Sequence, residues 1–299
     1  MSIMIDDETR VMIQAITGKQ GRQACKEMLD YKVKVVCGVT PGKTGQNVDG
    51  VPVYGSVNEA LHNHDVDATV IFVPPMQAKE AVMDAINNGI KLINIITENI
   101  PVHDTAYFLE AARKSGAVIV GPSSVGIISP GKCKMGPIGG ADNSSYMNGP
   151  VGIISKSGGM SSETANLLTQ EGIGQSTVIG IGGDRLIGSD FVDMLKMFER
   201  DKDTKCTVIF GEIGGTYEEL VAESVSRGEI TKPIAAFVSG NFASNLPNMT
   251  LGHAGAIVEG TKGTRQAKVE ALRKAGVKVA EVHHHILDEI KMILGDNHG

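Results

Sequence analysis

One histidine stands among residues with almost no side chain, in Gly252-His253-Ala254-Gly255-Ala256. A neutral imidazole can attack phosphorus, and small neighbours let a phosphorylated ring move and be approached from two sides. Histidines that pack in a core usually sit among bulkier residues, and a metal site wants a second His or a carboxylate at short spacing, which this segment lacks. A carboxylate in Gly211-Glu212-Ile213-Gly214-Gly215 is a candidate companion. By accepting a hydrogen bond from one ring nitrogen, Glu212 would leave the other as nucleophile. Spacing alone leaves that pairing open. The run His283-His284-His285 invites a metal, but adjacent residues do not share one helix face and no carboxylate cluster accompanies them. A polar helix start is the expectation, and no metal is expected.

Several glycine-rich turns have the composition of anion sites. Ile16-Thr17-Gly18-Lys19-Gln20-Gly21 follows an apolar run and opens a helix-like stretch; glycines let backbone approach a phosphate while unpaired helix N–H groups face it. It is neither a full GxGxxG nor a Walker loop, and a tight strand–helix turn would read the same way. Thr40-Pro41-Gly42-Lys43 and Ile96-Thr97-Glu98 end two further apolar runs and could complete one nucleotide-shaped crevice. Lys43 would supply a cation, unless it is only a solvated surface residue. Dinucleotide binding wants an acidic residue at the second strand end; that end reads GVTPGK, which argues for another phosphorylated ligand, such as coenzyme A. In the second half, Ser155-Lys156-Ser157-Gly158-Gly159-Met160-Ser161 combines hydroxyls, a Gly pair and a helix start. It reads as an anion site or as a plain N-cap, and it does not match the GxSxG nucleophile elbow.

These turns need elements to hold them. β-branched runs at Val11–Ile16, Val33–Val39, Thr69–Val73, Leu92–Ile96 and Ala117–Val120 read as strands. Stretches with helical spacing lie between them, such as Gln77–Asn87 and Thr105–Lys114. That alternation predicts an α/β protein with a Rossmann-like parallel sheet over residues 1–130. Residues 131–150, rich in Gly, Pro, Asn and Ser, read as a linker of about 20 residues. Over 151–299 the alternation resumes, with strands expected at Val151–Ile154, Thr177–Ile181, Thr207–Phe210, Ile234–Val238 and Val277–Val279. This is a second, flavodoxin-like doubly wound unit. Ligands in such sheets bind at the carboxyl ends of strands, where most of the glycine-rich turns fall.

Composition removes several classes. With 299 residues, 41% hydrophobic and 21% charged, the chain is a globular protein of two ordinary domains. A net charge of −6 and no Trp leave no footprint for nucleic acid or an anionic membrane. The opening MSIMIDDETR is acidic where a secretory leader would be basic, and no apolar run approaches the roughly 18 residues of a membrane span. A cytoplasmic location is the expectation. Cys25, Cys37, Cys133 and Cys206 are far apart in sequence and read as ordinary buried thiols.

Taken together, GVTPGK, ITEN, GEIGG and GHAGAI resemble the α subunit of succinyl-CoA synthetase nearly end to end. The resemblance implies an N-terminal CoA-binding domain, a C-terminal ligase domain, and a histidine, matching His253, that is phosphorylated during turnover. By motif, Thr17, Gly18, Lys19, Gln20, Lys43, Ile96, Thr97 and Glu98 fall at CoA contacts, and Glu212 falls at the carboxylate that holds the histidine. The helix start at Ser155–Gly158 would hold phosphate. ATP and Mg²⁺ would sit on a separate ATP-grasp β subunit, in an αβ or α2β2 assembly, with no turnover by this chain alone.

Three departures bear on the acid. The family's SRSGTLTYE reads SKSGGMSSE here, placing Ser162 where a tyrosine is expected; GPNCPG reads GPSSVG over Gly121–Gly126; GGDPIPG reads GGDRLIG over Gly182–Gly188. SGGMS, the GGDR start and the TKP segment at Thr231–Pro233 resemble ATP-citrate lyase and its two-subunit relative, citryl-CoA synthetase. A tyrosine replaced by Ser162, the added Gly159, the hydroxyls of Ser155, Ser157 and Ser161, and the cation of Arg185 would suit a tricarboxylate. The chain stops at Gly299 without a lyase domain, so citryl-CoA synthetase is the expectation. Succinate is the nearest rival and malate a further one. A non-catalytic CoA-binding scaffold is a rival of another class, disfavoured because a pure binder needs neither His253 nor Glu212.

Overall fold

A computed structural model describes residues 2–240 and 263–296. Strands β1 (Arg10–Gln14), β2 (Lys34–Val39), β3 (Asn47–Val48), β4 (Val51–Tyr54), β5 (Ala68–Ile71), β6 (Leu92–Ile95) and β7 (Val118–Val120) form one sheet in the order β3-β4-β2-β1-β5-β6-β7. Apart from the β3–β4 hairpin every pairing is parallel. Helices α1 (Lys19–Asp30), α2 (Val57–Leu61), α3 (Ala78–Asn87) and α4 (Val102–Ser115) connect these strands. β5 and β6 are buried along their whole length, as parallel strands covered on both faces must be. Helix α1 buries Gly21, Ala24, Cys25 and Met28, the i, i+3, i+4, i+7 stripe of a surface helix.

The second sheet takes β8 (Gly126–Ser129), β9 (Cys133–Met135), β10 (Asn148–Ser155), β11 (Gln175–Gly180), β12 (Cys206–Gly211), β13 (Ile234–Val238) and β14 (Lys278–Val279), in the order β14-β13-β12-β10-β11-β8-β9. Helices α5 (Gly158–Thr169), α6 (Phe191–Arg200), α7 (Tyr217–Ser226), α8 (Arg265–Lys274) and α9 (Ile286–Asp296) belong to this half. Its parallel strands run in the flavodoxin-like order, and β8 and β9 add an antiparallel edge.

Two stretches differ from the sequence reading. The β3–β4 hairpin was not expected; its turn is Asp49-Gly50, with φ of 51° and 90°, the pair that a two-residue hairpin requires. The expected linker is partly sheet: Cys133–Met135 pairs with β8, and β8 pairs with β11 through Ile128 and Val178. Strands this short, set among glycines, carry too few residues to show alternation. The largest apolar cluster joins Ile13, Val70 and Val120 of the first half to Ile127, Ile154 and Ile209 of the second. All four cysteines are buried free thiols, and burial pushes those of Cys37, Cys133 and Cys206 up to about 12. His283–His285 form a 3₁₀ turn leading into α9, the helix start expected. No described helix is long and apolar enough to cross a membrane.

Candidate functional site

In a flavodoxin-like sheet the strand order reverses beside the first strand, here between β10 and β12, and the loops after those two strands part to leave a crevice. The β10 loop holds Ser155–Ser157 and the start of α5, while the β12 loop holds Glu212 to Gly215.

At α5, the Ser157 hydroxyl accepts from the Met160 N–H at 3.4 Å, a weak N-cap. The Ser155 hydroxyl donates to Ser157 O at 2.7 Å and accepts from Ser157 N at 3.1 Å, and the Ser161 hydroxyl donates to Gly158 O at 2.6 Å. Both are fully buried, so they shape the turn. What this segment could offer an anion is the first N–H groups of the helix and its positive end. Ser162 was expected to free a donor for a bulky acid. Instead its hydroxyl lies 2.7 Å from the phenol of Tyr146, itself buried. Arg185 is exposed in the turn between β11 and α6.

The sequence reading passed over Lys156. This lysine is buried beside the carboxyl end of β10, with Nζ 3.8 Å from Glu212 Oε1 and 5.0 Å from the centre of the Tyr217 ring. The separation from Glu212 is too long for a direct hydrogen bond. The crevice therefore carries one buried cation and one buried carboxylate at facing strand ends. In the sequence Lys156 follows Ser155 at the end of β10 and stands among serines and glycines, a setting that does not mark it as buried.

His253 lies outside the described residues, but both flanks of its segment are described, and both meet the Glu212 loop. Ser239 N donates to Gly211 O at 3.0 Å, and Gly214 N donates to Gly263 O at 2.8 Å. Gly240 has φ of 100°, and a side chain there would overlap Ile213 at 2.5 Å. Residues 239, 240 and 263, the described residues on either side of it, thus stand against Gly211–Gly214.

In the first sheet the order reverses between β1 and β5. Thr17 is half-buried, with its hydroxyl 3.3 Å from that of Thr40, while Gly18, Lys19, Gln20 and Lys43 are exposed around it. Gly21 lets α1 start against this turn, because a Cβ there would lie 2.3 Å from Ala15 O. On the other side Ile96 and Thr97 are half-buried and Glu98 is exposed, with the Thr97 hydroxyl donating to Val73 O at 2.6 Å. Between these turns runs the loop after β5, with Met76 76% exposed, which the sequence reading did not single out.

The two crevices are neighbours. Ser123 N donates to Thr97 O at 2.9 Å and Ser124 N to Ile95 O at 3.1 Å. The buried Ser124 hydroxyl accepts from Asn94 Nδ2 at 2.8 Å and donates to Gly180 O at 2.6 Å, linking β6 to β11. Val125 packs against the start of α5, 3.1 Å from where a Cβ on Gly158 would stand. Three residues, Ser123 to Val125, thus link the Ile96–Glu98 turn to the start of α5. Among the described residues no cluster of His, Cys, Asp and Glu could hold a metal ion.

Comparison with known proteins gives two domain families: a CoA binding domain over residues 6–99 and a CoA-ligase domain over 154–285. A succinate–CoA ligase [ADP-forming] subunit alpha from Archaeoglobus fulgidus is 47% identical, over 98% of this chain and 100% of its own length. An ADP-forming sulfoacetate–CoA ligase subunit from Bilophila wadsworthia is 43% identical, over 99% and 100%. Among solved structures, an ATP citrate lyase of Methanosaeta concilii bound to citryl-CoA superposes with a TM-score of 0.92 at 28% identity. The match covers 98% of this chain, which spans about half (51%) of that protein.

Proposed function

Because this chain belongs to the succinate–CoA ligase α-subunit family, we propose that it is the CoA-binding, phosphohistidine-carrying subunit of an ADP-forming acid–CoA ligase. An ATP-grasp β subunit binds Mg–ATP. The terminal phosphoryl group passes from ATP to the imidazole of His253, releasing ADP. A carboxylate oxygen of the acid then attacks the phosphorus, forming an acyl phosphate and freeing the imidazole. The CoA thiol, having lost its proton, attacks the acyl carbon; the C–S bond forms and inorganic phosphate leaves. CoA lies along Thr17–Gln20, Lys43 and Ile96–Glu98, the start of α5 with Gly158 and Gly159 holds phosphate, and Glu212 orients the imidazole.

One observation supports this reading: Ser123–Val125 bond to the Ile95–Thr97 strand end on one side and pack against Gly158 at the start of α5 on the other, a link that suits delivery of a thiol from the first crevice to a phosphate held at the second. Incubating the chain and its partner with γ-labelled ATP should label His253. Equal labelling of a His253→Asn chain would sink the assignment.

For the acid we propose a short molecule with an anionic group at each end, of the succinate and sulfoacetate class. Relatives named for those acids match almost the whole chain at 43–47% identity. In addition, the Ser162 hydroxyl is engaged by Tyr146, which weakens the argument for a third carboxylate. Citrate remains the second reading, favoured by the Gly158-Gly159-Met160-Ser161 turn and by the superposition on ATP citrate lyase. Measuring thioester formation with succinate, sulfoacetate, citrate and malate decides between them; citrate turning over fastest would put the tricarboxylate first.

A further inference from the structure

Against the backbone of the Glu212 loop lies a buried ion pair whose side chains are not among the residues assigned to either crevice. Lys268 of α8 is fully buried and contacts the carboxylate of Glu218, also fully buried. Its Nζ also donates to Glu219 at 3.0 Å and to the backbone carbonyl of Gly215 at 3.0 Å. The second oxygen of Glu218 accepts the backbone N–H of Glu212 at 3.1 Å. The Glu212 loop is therefore held at two points by one pair: by its N–H at residue 212 and by its carbonyl at residue 215.

Charges buried this deeply are a poor choice for stability alone, since apolar residues of similar volume often do as well or better. What this pair supplies is position. Gly211 has no side chain, and a Cβ there would lie 2.5 Å from Glu218 Oε1, so the carboxylate closes directly on the strand end. Lys268 stands one turn into the helix that follows Gly263, the residue to which the loop's Gly214 N–H is bonded. The pair thus joins the loop bearing Glu212 to the helix that resumes the chain after the His253 segment.

We infer that Lys268 and Glu218 are positioning residues for phosphoryl transfer, fixing the Glu212 loop to the helix that follows the His253 segment. The inference rests on the proposed phosphohistidine role and deepens it. Misplacing a reacting group by about 1 Å can cost on the order of 100-fold in rate.

The test uses the full chain co-expressed with its β subunit. In Lys268→Met/Glu218→Met the two fully buried charges leave together, and Glu219, which loses the same ammonium, is part-exposed and keeps water as a partner, so the fold is kept. We expect His253 labelling and kcat to fall about 100-fold while KM for CoA stays within about twofold, because the CoA crevice is untouched. Glu218→Gln retains an acceptor for the Glu212 N–H and should recover much of the rate that Glu218→Met loses. A folded double variant that labels His253 as fast as the parent overturns the inference, as does Glu218→Gln no better than Glu218→Met. Hydrogen exchange at residues 211–215 separates the two readings. Faster exchange in the double variant supports the double anchoring even if the parent never labels, an outcome that would instead overturn the phosphohistidine role. Unchanged exchange overturns the inference alone.

Discussion

Lys156 Nζ stands 3.8 Å from Glu212 Oε1 and lies over the Tyr217 ring, 5.0 Å from its centre. Among the described residues the ammonium makes no hydrogen bond, so its three donors are available to an anion entering the crevice. Lys156→Met should slow His253 labelling about 100- to 1000-fold, the usual loss when one charge-stabilising donor is removed from a closed site. Lys156→Arg should restore a substantial part. Single-turnover labelling with γ-labelled ATP reads both.

The CoA crevice can be impaired separately. A side chain at Gly21 meets Ala15 O at 2.3 Å, so Gly21→Val must push α1 away from the Thr17–Gln20 turn. Overpacking of this kind costs about 1–3 kcal/mol. KM for CoA should rise at least about tenfold, while labelling of His253 by ATP, which needs no CoA, stays near the parent rate. Loss of labelling in a folded Gly21→Val chain would show that the two crevices do not divide the reaction as proposed.

Tyr146→Phe removes the phenol hydroxyl from Ser162 and leaves the Ser162 hydroxyl for the acid if, as proposed, the acid binds there. One neutral hydrogen bond is worth about 1 kcal/mol, so KM for the acid should shift about fivefold with KM for CoA unchanged. The direction distinguishes the acids. A gain for citrate over succinate would show that the phenol was occupying the space a third carboxylate needs.

Much of this was legible in the sequence. The flavodoxin-like second sheet followed from β-branched runs at regular spacing, and Glu212 stood out as a candidate because glycines flank a lone carboxylate at a strand end. Lys156 escaped notice because a lysine beside serines and glycines reads as solvated; only the strand order, which places β10 next to β12, buries it against Glu212. That the hydroxyls of Ser155, Ser161 and Ser162 have partners within the chain was hidden for a related reason. A hydroxyl at a helix start can serve a ligand or its own turn, and only the partner distances separate the two.

Stability should fall on the acid side through His283. Its ring packs edge-on against both Phe210 and Phe237, with Nε2 2.9 Å from the Thr164 hydroxyl. Burial lowers its pKa below 6.5, helped by His284 and opposed by Glu163. The unfolded chain therefore binds this proton more readily than the folded one. As pH falls below about 6.5 the folded state loses ground, and the loss is complete once pH passes the folded pKa. Replacing the ring in His283→Gln should flatten that part of the profile, read as urea midpoints between pH 7.5 and 5.5; an unchanged slope would remove His283 from the account.

Ser124→Ala takes away a hydroxyl that serves Asn94, Gly180 and the Gly126 N–H together. Leaving those buried groups unsatisfied should cost about 2–4 kcal/mol, seen as a lower Tm of the whole chain in one transition. Two separated transitions would mean that the halves melt independently.

The shared residues between the sheets also decide how such proteins could exchange parts. Ile119 of β7 gives its carbonyl to Ser189 of the second half and packs against Gly188, while the crossing after it serves both sheets. A hybrid pairing the CoA crevice of one relative with the acid pocket of another, joined at the composition break near residue 130, would sever that seam. Joined at Gly116, the left-handed turn that ends α4, it would inherit the strand, the crossing and the ligase sheet as one block.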